Sequence, residues 1–468
     1  MALTATPRAA RHVVAPATKL VGGLMAREHK FSMPLDWATP GEGPEVDVFV
    51  REVGYARNEA RRAEQPALMY LQGGPGFPSP RPSSPPSGWL KAALDADFRV
   101  LLLDQRGTGK SSAATMARLD RLGSPAAQAE WLSHMRSDAI ACDVEAVRAA
   151  VCGEDGKLSL LGQSFGGFCI LSILSRFPDG VERALLTCGL APVLKEADDV
   201  YAATCKRMLT RNARFYARYP EDVATVRRIV ALLARKKVML PSGGVLTPRR
   251  FLMLGLMLGS GSGMESLHWL LEGAWEESAD GENELSDIFL RGVDAQQACF
   301  ETNPIYWFLH ESIYCNGGGS SSRWAAQRVL AQAPNAQDFD WAAALAAGED
   351  TPVMLTGEMI FEWMAEDFAA LTPLREMANI LAEKAWERPI YDAEALAGVA
   401  AKVPMACLVS YDDIYVERAF SEEVARLVGP ECKLWVTNEF QHSGLRDEPA
   451  RVFETLLKMT KDEISLPS

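Results

Sequence analysis

Residues 158–167 read LSLLGQSFGG. A short apolar run enters Gly162-Gln163-Ser164-Phe165-Gly166, and an apolar helical pattern over 165–176 leaves it. Small residues at both ends of a GxSxG pentapeptide let a strand turn sharply into a helix, which lifts the serine hydroxyl out of the sheet at the helix N-terminus. A pentapeptide of this kind is also a common Gly/Ser turn. The strand before it and the helix after it single out Ser164 as the candidate nucleophile.

Working outward, the apolar runs at 67–71 and 100–103 are short and bounded by turn residues, and 47–53 (DVFVREV) alternates as a strand does. Loops rich in Gly, Pro and Ser follow at 72–88 and 105–112. Residues 139–151 carry Ile140, Val144, Val147 and Val151 at helical spacing, and 184–188 reads as a further strand. Strand, loop and helix alternate, which predicts an α/β fold with a mostly parallel sheet flanked by helices. From about 196 to 395 the chain changes character: 207–219, 221–234 and 264–275 are helical patterns and strand-like runs are scarce. Strand signals return at 403–410 and 433–436, with helices expected at 421–428 and 449–461. The expected organisation is a flexible extension over 1–20, a first part of the core over 21–195, a large helical cap insertion over 196–395, and a second part of the core over 396–468. Gly317 to Ser322 reads as a flexible loop within the insertion.

Chain length and composition fit packed domains rather than a disordered or fibrous chain, with 468 residues, 48% hydrophobic and 23% charged. A net charge of −13 repels phosphate backbones and anionic headgroups, so neither nucleic acid nor a membrane surface is an expected partner. The apolar runs at 229–234 and 251–258 are far shorter than the roughly 20 residues a spanning helix needs. Nine cysteines occur without a CxxC pair or a companion CxxH spacing, which predicts reduced thiols, no metal site and a cytoplasmic location. Residues 1–27 lack acidic residues but contain Arg8, Arg11, Lys19 and Arg27, so an organellar transit peptide is the alternative.

A serine nucleophile needs a base, and the base needs an orienting carboxylate. Six histidines are present. His12, His29 and His134 precede Ser164, whereas the order for this elbow is Ser, then Asp or Glu, then His. His268 and His310 lie in helical patterns of the insertion. His442 stands in NEFQHSGLR (438–446), a polar loop after the strand at 433–436, and is the candidate base. The strand at 403–410 runs into Tyr411-Asp412-Asp413; Asp413 is the candidate carboxylate and Asp412 the reserve. For the oxyanion, one donor is the amide of Phe165 and the other is expected from Gly74, with Gly73 as the alternative, in the QGGPG loop at 72–76. Gly109-Lys110-Ser111 imitates the end of a phosphate-binding loop, but Asp104 stands where that motif requires glycine.

Together QGGPG (72–76), DQRGTGKSS (104–112), GQSFGG (162–167), YDDIYV (411–416) and NEFQHSGLR (438–446) resemble the prolyl aminopeptidases, or proline iminopeptidases, of the α/β-hydrolase superfamily. The resemblance extends from about residue 20 and includes FETNPIYWFLHESIYC (300–315) and LTGEMIFEWM (355–364). It implies the α/β-hydrolase fold and removal of N-terminal proline from short peptides by a serine triad, with no cofactor and no metal. Many members carry the carboxylate four residues before a proline; Glu417 holds that place here and points back to Asp413, whereas the family's Tyr-Asp pair points to Asp412.

The resemblance also implies cap glutamates that pair with the substrate's amino terminus. Glu311 matches best, and the second is taken as Glu272, with Glu276 and Glu358 as alternatives. Gln72 departs from the histidine that many members carry before GGPG. The alternatives to an exopeptidase are an esterase, amidase or lactonase using the same triad, and a non-catalytic binding protein; oligomeric state is not legible.

Overall fold

The computed structural model describes residues 7–277 and 283–464. β1 (Arg11–Val14), β2 (Thr18–Leu20), β3 (Leu24–Pro34), β4 (Glu45–Tyr55), β5 (Ala67–Leu71), β6 (Arg99–Asp104), β7 (Leu158–Gln163) and β8 (Val181–Thr187) form one sheet with the strands Met405–Ser410 and Cys432–Thr437. The order is β1-β3-β4-β6-β5-β7-β8, then Met405–Ser410, then Cys432–Thr437, with β2 also on β3. β4 is antiparallel to β3 and β6, and every pairing from β6 to the far edge is parallel.

Central strands buried on both faces have continuous apolar sequences, as in ALMYL of β5 and RVLLLD of β6. Met69, Leu101, Leu160 and Leu186 point to one face, against Ile140, Val144 and Val147 of helix Ser137–Cys152 and Phe168 and Ile170 of helix Phe165–Leu174. Leu68, Tyr70, Leu161, Leu185 and Leu408 point to the other, against Val452, Phe453 and Leu456 of helix Pro449–Thr460. Each fully buried side chain of this size contributes about 1.5–3 kcal/mol, so the two layers fix the sheet firmly beneath its C-terminal edge.

One expectation is corrected. Residues 11–14 and 18–20 are not an extension but strands paired antiparallel with β3. The pairing is reinforced where His12 Nε2 lies 3.0 Å from His29 Nδ1 and the His12 ring stacks on Phe31. Residues 1–6 lie outside the described residues.

The segment from 196 to 395 divides into two packing groups. Helices Ala197–Arg218, Glu221–Arg235, Gly263–Glu272 and Asp287–Thr302 enclose a separate core that includes Phe215, Ile229, Phe251, Leu267 and Phe289. Residues from Phe300 through Tyr314 and from Met359 onward join the main core instead. Two small hairpins, Val238–Met239 with Val245–Leu246 and Trp275–Glu277 with Asn283–Leu285, interrupt the helices. No described helix is long and apolar enough to cross a membrane.

Candidate active site

Ser164 sits between β7 and helix Phe165–Leu174 with φ 55° and ψ −124°, a strained conformation for a non-glycine residue. The surroundings enforce it: the Ser164 amide donates to the Thr187 carbonyl at 2.9 Å, and its carbonyl accepts from Gly167 at 2.7 Å. A Cβ at Gly162 would stand 2.6 Å from Gly166 backbone, and one at Gly166 would overlap the Leu71 carbonyl. Both glycines are therefore needed for the turn to close.

The loops after the last two strands bring His442 and Asp413 together. His442 Nδ1 is 2.8 Å from Asp413 Oδ2, with both residues buried. The other carboxylate oxygen of Asp413 accepts the amides of Tyr415 at 2.8 Å and Val416 at 3.1 Å, which fixes its orientation. Asp412 faces away and forms ion pairs with Arg214 and, at 3.6 Å, with Arg207. Glu417, in the place of the family's proline, caps helix Arg418–Val428 through the Ala419 amide and pairs with Arg207 through two hydrogen bonds of 2.6 and 2.7 Å. Both acids beside the buried Asp413 thus tie the core to helix Ala197–Arg218.

The QGGPG loop passes directly beside the elbow. A Cβ on Gly73 would lie 3.0 Å from the Ser164 Cβ, and Gly74 has φ 135°. Gln72, where many members carry histidine, anchors this loop: its Oε1 accepts from Tyr70 Oη at 2.9 Å and its carbonyl from Gln105 at 3.0 Å. The phosphate-loop imitation is a turn wrapped around a carboxylate, with the Lys110 amide donating to Asp104 Oδ2 at 2.9 Å and Ser111 Oγ to the Asp104 carbonyl at 2.6 Å.

Among the cap glutamates the outcome is divided. Glu311 is buried, and its two oxygens accept the amides of Ala325 and Ala326, each at 2.9 Å. Burial pushes its carboxyl up to about 7 despite those amides. Glu272 is corrected: it is exposed at the C-terminal end of helix Gly263–Glu272, and Glu276 is exposed as well. Glu358 faces the interior instead. Its carboxylate accepts from Tyr306 Oη at 2.6 Å and lies 4.0 Å from His310 Nε2. Burial first, and then the nearby carboxylates of Glu311 and Glu358, raise the phenols of Tyr201 and Tyr314. Tyr306 and Phe77 meet edge to face beside Gly76 of the QGGPG loop.

Three further residues were not singled out by sequence reasoning. Tyr415 packs its ring against His442, centroid to centroid 4.8 Å. His310 is buried with neither ring nitrogen hydrogen-bonded. Cys188, at φ 48°, places its sulfur 3.4 Å from Ser410 Oγ and within 4.8 Å of ligand atoms on Asp413 and His442. Burial pushes the Cys188 thiol up, which favours a neutral S–H donor over a metal-binding thiolate. Their surroundings come from contacts distant in sequence: Tyr415 and Cys188 meet the histidine–aspartate pair, and His310 lies by Tyr306 and Glu358.

A sequence profile of the α/β hydrolase fold matches residues 66–288. With the sheet order, the elbow and the buried histidine–aspartate pair, it defines the class: an α/β hydrolase. The chain is 43% identical over 447 residues to the proline iminopeptidase of Aeromonas sobria, covering 96% of this chain and 99% of that one. It is 31% identical over 447 residues to the proline iminopeptidase aneH of Aspergillus aculeatus, covering 95% of each. Among solved structures the chain matches a thermophilic esterase from Thermogutta terrifontis, at TM-score 0.37 and 14% identity, covering 90% of this chain and 96% of that one. On the two full-length likenesses, the chain belongs to the proline iminopeptidase family.

Proposed function

We propose that the protein is a serine exopeptidase that releases N-terminal proline from short peptides. The observations that carry the reading are the buried 2.8 Å pair of His442 and Asp413 and a serine held at a strained elbow, in a chain with near full-length likeness to proline iminopeptidases. Ser164 Oγ attacks the prolyl carbonyl carbon while His442 Nε2 takes its proton, and Asp413 orients and compensates the imidazolium. The oxyanion falls against the amides of Phe165 and Gly74. Collapse breaks the C–N bond, His442 returns the proton to the leaving amine, and water releases proline from Ser164 by the same route.

An exopeptidase must also hold a charged amine close to the nucleophile, which demands buried negative charge in compensation. Glu311 and Glu358 meet that demand, with Glu358 in the role first given to Glu272. The ring-lined wall of Phe77 and Tyr306 gives the pyrrolidine an apolar surface. A peptidase of this kind, with cysteines suited to reducing conditions, works in the cytoplasm on peptides and needs no cofactor. Amino-acid analysis of Pro-X and X-Pro dipeptides after incubation tests the reading: free proline from Pro-X only, and none with Ser164→Ala, is expected. Equal cleavage of both would exclude it.

A further inference from the structure

We infer that the cap segment at 256–261, clasped by Tyr415, positions the His442 loop, so that the chemical step depends on this segment being docked. The inference rests on the reading of His442 as the base.

The His442 loop has few ties to the sheet. Ser410 Oγ donates to the Gln441 carbonyl at 2.6 Å, and Asp413 holds the imidazole. Cap backbone supplies the ties next in line: the amide of His442 itself donates to the Gly259 carbonyl at 2.9 Å, and the Gly261 amide donates to Ser443 Oγ at 2.8 Å. Ser443 passes the contact on, donating to Asp447 Oδ2 at 2.6 Å. Two of the hydrogen bonds that set the loop's position therefore come from the insertion.

Tyr415 locks the two parts together. Its amide holds Asp413, its ring meets the His442 imidazole at 65°, and its hydroxyl donates to the Leu256 carbonyl. Gly259 lies against that ring so closely that a Cβ would fall inside it, which accounts for glycine at this place. The segment is secured in turn by the cap: Arg211 Nε donates to the Leu258 carbonyl at 2.9 Å, and Leu254 and Leu258 are buried in the cap core, which Ile414 also enters. One tyrosine thus touches the aspartate, the histidine and the cap. Displacing the segment removes the backbone partner of His442 and one wall of its ring at once. A misplacement of about 1 Å in such a group costs on the order of a hundredfold in rate. Tyr415 is accordingly a positioning residue.

The test compares wild type with Tyr415→Phe, which keeps the ring and removes the bond to Leu256, and Gly259→Ala, which forces the ring away. Ser164 labelling by a fluorophosphonate reads the triad without any amine, and a chromogenic proline amide reads kcat and KM separately. Labelling rate and kcat are expected to fall together, about three- to tenfold in Tyr415→Phe and about a hundredfold in Gly259→Ala, with KM for the amide within about twofold. Labelling at the wild-type rate in Tyr415→Phe, with only KM raised, would overturn the inference and leave the segment as a wall of the substrate site. If Gly259→Ala does not fold, Tyr415→Phe decides alone. A wild type that is labelled but does not cleave the proline amide would refute the peptidase reading while the labelling rates still decide this one.

Discussion

The buried carboxylate of Asp413 accepts a 2.8 Å hydrogen bond from His442 Nδ1, while its chain neighbour Asp412 points the other way into ion pairs with Arg214 and Arg207. The two aspartates are adjacent in sequence and opposite in consequence. Asp413→Asn leaves the shape but cannot hold the imidazole in the tautomer that accepts the serine proton, and a loss in kcat of about ten-thousandfold is expected. Asp412→Asn gives up part of a solvent-facing ion-pair group worth about 1 kcal/mol or less, and kcat should stay within about threefold. Steady-state kinetics on a chromogenic proline amide separates the two; equal losses would contradict the assignment.

Glu358 and Glu272 make a second contrast. Replacing Glu358 by Gln keeps the contact with Tyr306 and removes the charge proposed to hold the amine, so KM for a free-amine substrate should rise about ten- to a hundredfold, as for loss of a charge-assisted hydrogen bond. Glu272→Gln, at an exposed helix end, should leave KM unchanged. A rise in KM for Glu272→Gln alone would reverse the choice.

The pH dependence follows from Glu311, whose carboxyl burial pushes up to about 7. Below that pH it is largely neutral and cannot compensate a cationic amine; above it the carboxylate forms. The ratio of kcat/KM for the proline amide to kcat/KM for an acetate ester, in which the His442 contribution cancels, should therefore rise with pH through about 7. Glu311→Gln should flatten the ratio. The same shift has a cost in stability: between about 4.5, the carboxyl's ordinary value, and about 7 the folded protein keeps a proton that the unfolded chain has released, so Glu311 contributes less stability as pH rises across that window.

Arg106, in the DQRG motif, is structural. Its guanidinium is buried, pairs with Asp143 through bonds of 2.6 and 2.7 Å, and donates to the carbonyls of Pro34, Leu35 and His134. Asp143→Asn strands that charge, and urea unfolding should show a loss of about 3–5 kcal/mol at an unchanged slope. A loss below about 1 kcal/mol would mean that the three carbonyls suffice.

Much of the fold and of the site is legible in the sequence itself. The elbow was readable because strand, GxSxG and helix are contiguous, and His442 emerged because few histidines compete. β3 went unnoticed: its AREHK stretch looks polar, and His29 is buried only because Glu52 on the neighbouring strand lies 3.0 Å from its Nε2. Glu358 was left among three alternatives because its place depends on how a two-part insertion folds back, a matter of contacts over 50 residues away such as that with Tyr306. Tyr415 carried no signal, since its role comes from Gly259, more than 150 residues earlier in the chain.

On this reading a triad at Ser164 acts on a prolyl bond whose free amine is held by carboxylates. The most direct measurement compares kcat/KM for a proline amide with that for the same amide acetylated on the proline nitrogen, in wild type and in Ser164→Ala. Turnover of the free amine at least about a hundredfold faster than of the acetylated one, abolished in the variant, is the predicted result. Equal turnover of the two amides, or activity that survives Ser164→Ala, would contradict it.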